Sequence, residues 1–235
     1  MTAALATRTT DATLTRRLAG VLVSAATALL ILGAVVLLLI SPLYLHPALD
    51  EAGSAAYLTA GGLALDAPGA AGLSDRTVQE LFLGPGTFAF PAPGTSQPFY
   101  DGAEASHLRD ARAVLYAFLL VVAAGAVALV AALAAARREA WLWRAISRGA
   151  GALAMVLAVI GVFATFAFDQ AFTLFHEVFF PGGNWSFDPR TERLVQLYPI
   201  PFWELTSTVL VGAAVIVGAL VWWLARRRAK GLEAA

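Results

Sequence analysis

Cysteine is absent from all 235 residues. That removes disulfides, thiolate nucleophiles, thiolate metal ligands and any lipid-bearing cysteine on the chain itself. Net charge is also missing, with 16 basic residues balanced by 16 acidic ones. No glycine-rich phosphate loop joins a strand to a helix, so nucleotide chemistry is not indicated. The basic residues are spread over three separate segments, which argues against a nucleic-acid partner. No internal repeat is visible. What the chain has in excess is apolar character, 59% of its residues, against roughly 45 to 50% in ordinary soluble domains.

Four apolar stretches are long enough for a hydrocarbon core of about 30 Å, which takes roughly 20 helical residues. They run from Leu18 to Ile40, Ala111 to Ala136, Ala150 to Phe172 and Leu205 to Leu224. The first follows Arg16 and Arg17 as a signal peptide would. Its apolar part exceeds the roughly 7 to 15 residues of a signal h-region, and Ser41-Pro42-Leu43 is no cleavage site, so it reads as a retained span. Alanine and glycine recur in all four, which suits close helix packing in lipid. The expected fold is an all-α membrane protein, a four-transmembrane-helix bundle with a small extracytoplasmic cap.

Charge sets the expected direction, because Lys and Arg near span ends stay in the cytoplasm. Eleven of the 16 basic residues fall in the N-terminal segment, between the second and third spans, or in the C-terminal segment. The other side takes 13 of the 16 acidic residues. This divides the chain into a cytoplasmic tail over 1–17, a membrane domain over 18–224 with outer cap segments 41–110 and 173–204, and a second cytoplasmic tail over 225–235. The predicted location is a bacterial cytoplasmic membrane, multi-pass, with both termini inside. Trp141, Trp143, Trp222 and Trp223 fall at the inner span ends as an aromatic belt.

In the first outer segment, Ser74 is positioned to cap a helix through Asp75, Val78, Leu81 and Phe82, with Gly84 and Pro85 as its stop. Thr87 to Phe90 reads as a brief strand. The second outer segment, Phe175 to Pro189, mixes bulky rings with turn formers and reads as a loop at headgroup depth. An apolar surface there, beside ionisable groups, is what an enzyme acting on an acyl chain needs.

All three histidines, His46, His107 and His176, belong to the outer side. Because the second and third spans form an antiparallel hairpin, His107 and His176 are expected side by side. An imidazole has an ordinary pKa of about 6.5, so it can move protons at neutral pH. Glu104 and Asp110 each stand three residues from His107, where a helix would put a carboxylate near the ring to hold its tautomer. Glu177 adjoins His176, and Arg112 is placed to neutralise an oxyanion or to snorkel. Asn184 and Trp185 are candidates to line a substrate pocket or to serve as a turn amide and an anchoring ring.

Three explanations of this cluster stay open on the residues alone. It is a general acid–base site, a metal site using Glu104 and the histidines, or a set of polar helix ends in the headgroup layer. The metal reading lacks the second Glu-x-x-His of a two-metal bundle, so no metal and no cofactor is assigned. A non-enzymatic scaffold or accessory subunit with an acidic outer cap is the alternative to an enzyme.

The stretch His107-Leu108-Arg109-Asp110-Ala111-Arg112 and the segment Phe175 to Pro189, with Asp169 before it and Leu197-Tyr198-Pro199 after it, resemble the lipoprotein intramolecular transacylase (Lit) family. Ile200 departs from that pattern, standing where many relatives have a glutamate. The resemblance implies a four-helix membrane fold and catalytic histidines matching His107 and His176. It also implies transfer of an acyl chain from the diacylglyceryl ester of a lipoprotein to the α-amino group of its N-terminal cysteine. Partners are then membrane lipid and a lipoprotein. On this reading His107 takes the amine proton as general base, and His176 protonates the departing glycerol oxygen or hydrogen-bonds the tetrahedral oxyanion. Oligomeric state is not legible.

Overall fold

The computed structural model describes residues 2–234, with side chains described from Leu14 onward. Nine α-helices follow one another among the described residues: α1 (Thr2–Leu39), α2 (Pro42–Glu51), α3 (Ser54–Ala60), α4 (Ala67–Phe82), α5 (Gly102–Ala136), α6 (Ala140–Phe166), α7 (Phe168–Phe179), α8 (Arg193–Leu197) and α9 (Ile200–Glu233). Four contain runs long and apolar enough to cross a membrane: Leu14–Leu39, Gly102–Ala136, Ala140–Phe166 and Ile200–Glu233. The chain is an integral membrane protein with four spanning helices, as the apolar runs predict. It divides into two compact units.

One unit combines the chain up to Val35 with Leu119–Val159 and the chain from Val211. Its helices meet through small residues. A Cβ placed on Gly149 would strike the backbone of Ser24, and one on Gly218 would lie 3.0 Å from the Ala150 oxygen. Ser24 Oγ donates to the Ala145 carbonyl at 2.8 Å, tying α1 to α6 at that close approach. In lipid, packing and such hydrogen bonds replace the hydrophobic drive between helices. Arg226 and Arg227 lie over the Trp222 and Trp223 rings, 5.3 and 4.7 Å from their centroids, as cations beside an aromatic belt do.

The second unit, Val36–Phe118 with Ile160–Leu210, carries the larger apolar core. Leu49, Leu58, Phe88, Tyr100 and Leu197 are among its fully buried side chains. The first outer segment holds three helices where the sequence indicates one. Asp66, and not Ser74, caps α4, accepting the Gly69 N–H at 2.9 Å. Ser74 lies inside α4, where its hydroxyl meets the Tyr198 hydroxyl at 2.9 Å, buried. The cap signal was read about two turns too late because Asp66 is followed by Ala-Pro-Gly, which resembles a loop more than a first turn.

The expected strand at Thr87 to Phe90 does not form. An isolated bridge joins Pro91 to Pro98, and proline cannot extend such a pairing. Phe88 instead adopts a left-handed backbone, φ 54°. Its ring is fully buried and its N–H is held by the Glu80 carboxylate, which offsets the cost of that conformation.

The third span also ends early. The sequence carries its apolar run to Phe172, but α6 stops at Phe166 and Ala167 takes φ −145° and ψ 51°. A separate helix, α7, then takes the end of that run and the first five residues, 175–179, of the stretch read as a headgroup loop. Hydropathy is continuous across this break, so no apolar periodicity reports it.

Candidate active site: a histidine pair among aromatic rings

His107 lies in the second turn of α5, ahead of the apolar run that begins at Ala111. His176 lies near the end of α7. The hairpin brings the two imidazoles within 5.9 Å, centroid to centroid, with their planes 26° apart. Both are buried, at 9% and 8% exposure. Phe180 stands 4.7 Å from His107 and 5.6 Å from His176, contacting both rings. Phe187 lies 5.7 Å from His107. Phe172, Trp185 and Phe175 lie 4.1, 5.0 and 5.3 Å from His176.

Such surroundings disfavour a charged imidazole. Burial lowers the pKa of His176, opposed by its hydrogen bond to Phe172. That bond matters for chemistry. His176 Nδ1 lies 2.7 Å from the Phe172 carbonyl oxygen, which can only accept, so Nδ1 carries the proton. The Nε2 lone pair is thereby left free for a substrate proton. His107 Nδ1 is buried with no hydrogen-bond partner.

The predicted supporting residues are distributed differently. Glu104 is 1% exposed, and its carboxylate accepts the backbone N–H groups of Asp101 at 2.7 Å and Leu194 at 2.6 Å. It holds the start of α5 and of α8, and does not hydrogen-bond His107. Arg112 donates to the Glu80 and Gly84 carbonyls at 2.7 and 3.0 Å, closing the end of α4 instead of facing the imidazoles. Glu177 is exposed on α7. His46 lies apart from the pair, bonded to Asp75 at 2.8 Å. Among the described residues no three His, Asp or Glu side chains converge as metal ligands.

Asp110 reaches the site through Asn184, whose Nδ2 donates to Asp110 Oδ2 at 2.7 Å. The bond ties the turn carrying Trp185 to the helix carrying His107. Asn184→Ala should remove roughly 1 kcal/mol from that tie and loosen the already exposed turn over 181–184. Limited proteolysis should then cleave this turn about fivefold faster. The rings of Phe172, Phe180 and Phe187 were not singled out from sequence; the density of aromatics around His176 was their one signal.

Fold and site together define a membrane-integral protein with four spanning helices and a buried imidazole pair, an arrangement able to carry general acid–base chemistry. Residues 87–203, about half the chain, match the sequence profile described as lipoprotein intramolecular transacylase Lit. The chain belongs to that family. It is similar over 94% of its length to a structure of the membrane-integral lipoprotein intramolecular transacylase Lit from Bacillus cereus, covering 99% of that chain, with a TM-score of 0.75 and 16% identity. Two structures of variants of that protein, a histidine replaced by arginine or by alanine, align with TM-scores of 0.72 and 0.73 at 16% and 15% identity. They cover 96% and 100% of those chains and 95% and 97% of this one. No curated protein matches the chain by sequence.

Proposed function

We infer that the protein moves an acyl chain from the diacylglyceryl ester of a lipoprotein to the α-amino group of the same N-terminal cysteine, at the outer face of the membrane. Both termini are read as cytoplasmic, from the basic residues. The observation that carries this reading is the stacked His107–His176 pair, buried among aromatic rings, with His107 in the polar first turns of α5 and His176 on α7.

The fixed Nδ1–H of His176 favours it as the base, the reverse of the assignment made from sequence. The neutral amine attacks the ester carbonyl, and His176 Nε2 takes a proton from the attacking nitrogen. The C–O bond to glycerol then breaks, the His176 imidazolium returns that proton to the departing oxygen, and an amide is left. His107 donates a ring N–H to the developing oxyanion, since a neutral imidazole can act as an electrophile. Burial keeps the His176 ring ready in the uncharged state this sequence needs. No protein nucleophile enters, which suits a chain without cysteine.

The test is expression in cells lacking lipoprotein N-acylation, with mass spectrometry of a reporter lipoprotein. N-acyl, mono-O-acyl product from the wild type supports the reading. Unchanged diacylglyceryl reporter overturns it.

The pH profile follows from the same states. Because burial holds the base, His176, below its ordinary value, it stays neutral as pH falls through 7. The α-amino group, with a pKa of about 7.7 to 8.0, does not. The kcat/KM should rise about tenfold per pH unit below pH 7.5 and level near pH 8. A histidine of ordinary pKa in the base role would add a second inflection near about pH 6.5, seen as a steeper slope below it.

A further inference from the structure

Helix α7 leaves four adjacent apolar residues uncovered. Leu174, Phe175, Val178 and Phe179 are 58%, 50%, 63% and 46% exposed. Their spacing puts them on one stripe, while Asp169, Gln170, Thr173 and Glu177 share the opposite flank. Leaving such side chains in water forfeits roughly 1.5 to 3 kcal/mol each. The cover is indicated by what precedes them. One residue separates α7 from α6, a membrane-spanning helix whose last turns expose Val162, Phe163 and Phe166. The stripe therefore continues a lipid-facing surface, and acyl chains of the outer leaflet are its occupant.

Phe175 belongs to both surfaces. Half of it is bare on the stripe, stacked against Phe179 at 4.8 Å, and its ring also meets His176 edge-on at 5.3 Å and Phe180 at 6.1 Å. One aromatic side chain thus stands between the leaflet and the imidazoles. We propose that Phe175 is the lateral door of the site: the ester-linked acyl chain enters from the leaflet past this ring, and the bulk at position 175 decides which chains reach the histidines. The proposal rests on the acyl-transfer reading above and adds to it a route and a selectivity residue. An apolar wall discriminates chains by volume, and one methyl branch is worth roughly 10 to 200-fold in such a pocket.

The absence of native cysteine makes the test direct. Phe175→Cys and Val178→Cys, each labelled with bimane in phosphatidylglycerol–phosphatidylethanolamine liposomes, should be quenched by lipid carrying a nitroxide on its acyl chain and not by aqueous iodide. Transfer assays with straight and methyl-branched diacylglyceryl reporters form the second arm. Phe175→Ala should raise branched over straight transfer about tenfold, and Phe175→Trp should lower it. Iodide quenching at both positions, or wild-type chain preference in both size variants, overturns the door while leaving the transferase intact. A wild type that forms no N-acyl product overturns the transferase reading, and with it the selectivity role. Acyl-chain quenching at position 175 would then still establish the leaflet contact.

Discussion

His176→Ala is expected to lower the rate of N-acyl product formation by about 10²- to 10⁴-fold, the usual worth of a positioned general base. The side chain sits at the end of α7 with Nδ1 anchored to the Phe172 carbonyl, so its removal leaves the rings of Phe172, Phe175 and Trp185 around an empty position. The residual rate comes from holding ester and amine together, which the remaining walls still do. His107→Ala should cost a similar factor, and the double variant little more than either alone, because residues that act as one unit do not add. Glutamine separates the two roles. His107→Gln keeps an N–H donor and should recover part of the loss, whereas His176→Gln has no basic nitrogen and should behave as the alanine variant. Single-turnover mass spectrometry at matched protein level distinguishes these outcomes. Recovery by glutamine at position 176, and not at 107, would return the base to His107.

Much of this arrangement was legible because membranes make hydropathy a strong signal. Every strongly apolar run of about 20 residues contributed a span, and the short connection over 137–139 led to the expectation of adjacent His107 and His176, whose rings do lie side by side. What was illegible depended on long-range partners. Glu104 looked like a companion of His107 by i, i+3 spacing, yet the backbone N–H of Leu194, ninety residues away, takes its carboxylate. Arg112 carries the chemistry of an oxyanion ligand, but the open end of α4 offers it the Glu80 and Gly84 carbonyls. Spacing shows which groups can share a helix face and not which neighbour folds over it. The break at Ala167 escaped for a related reason: alanine and phenylalanine fit a helix interior, and the bend arises without a Pro or Gly to mark it.

Glu104→Ala is expected to be the most destabilising single change in the unit that holds the histidines, because one carboxylate there serves two chain segments. Its Oε2 accepts the Asp101 N–H while Asp101 Oδ1 accepts the Glu104 N–H at 2.8 Å, a reciprocal cap on the first turn of α5. Its Oε1 accepts the Leu194 N–H at the start of α8, which joins the two segments. The Leu194 bond is buried and the two bonds with Asp101 are part-buried, so alanine leaves the Leu194 N–H without a receiver and uncaps the first turn of α5. The buried hydrogen bond to a charged group contributes about 1.5 to 3 kcal/mol and the part-buried helix cap about 1 kcal/mol, giving an expected loss of roughly 2.5 to 4 kcal/mol. Glutamine is no substitute. Its carbonyl oxygen can serve one N–H, but its NH2 then faces the other, donor against donor, so Glu104→Gln should fall between wild type and alanine. Equilibrium unfolding in mixed micelles reads the loss. Because His107 lies one turn along the same helix, loosening the cap should also widen the imidazole pair and reduce kcat with little change in KM. A Glu104→Ala protein as stable as the wild type would mean that α5 is held to α8 by other contacts.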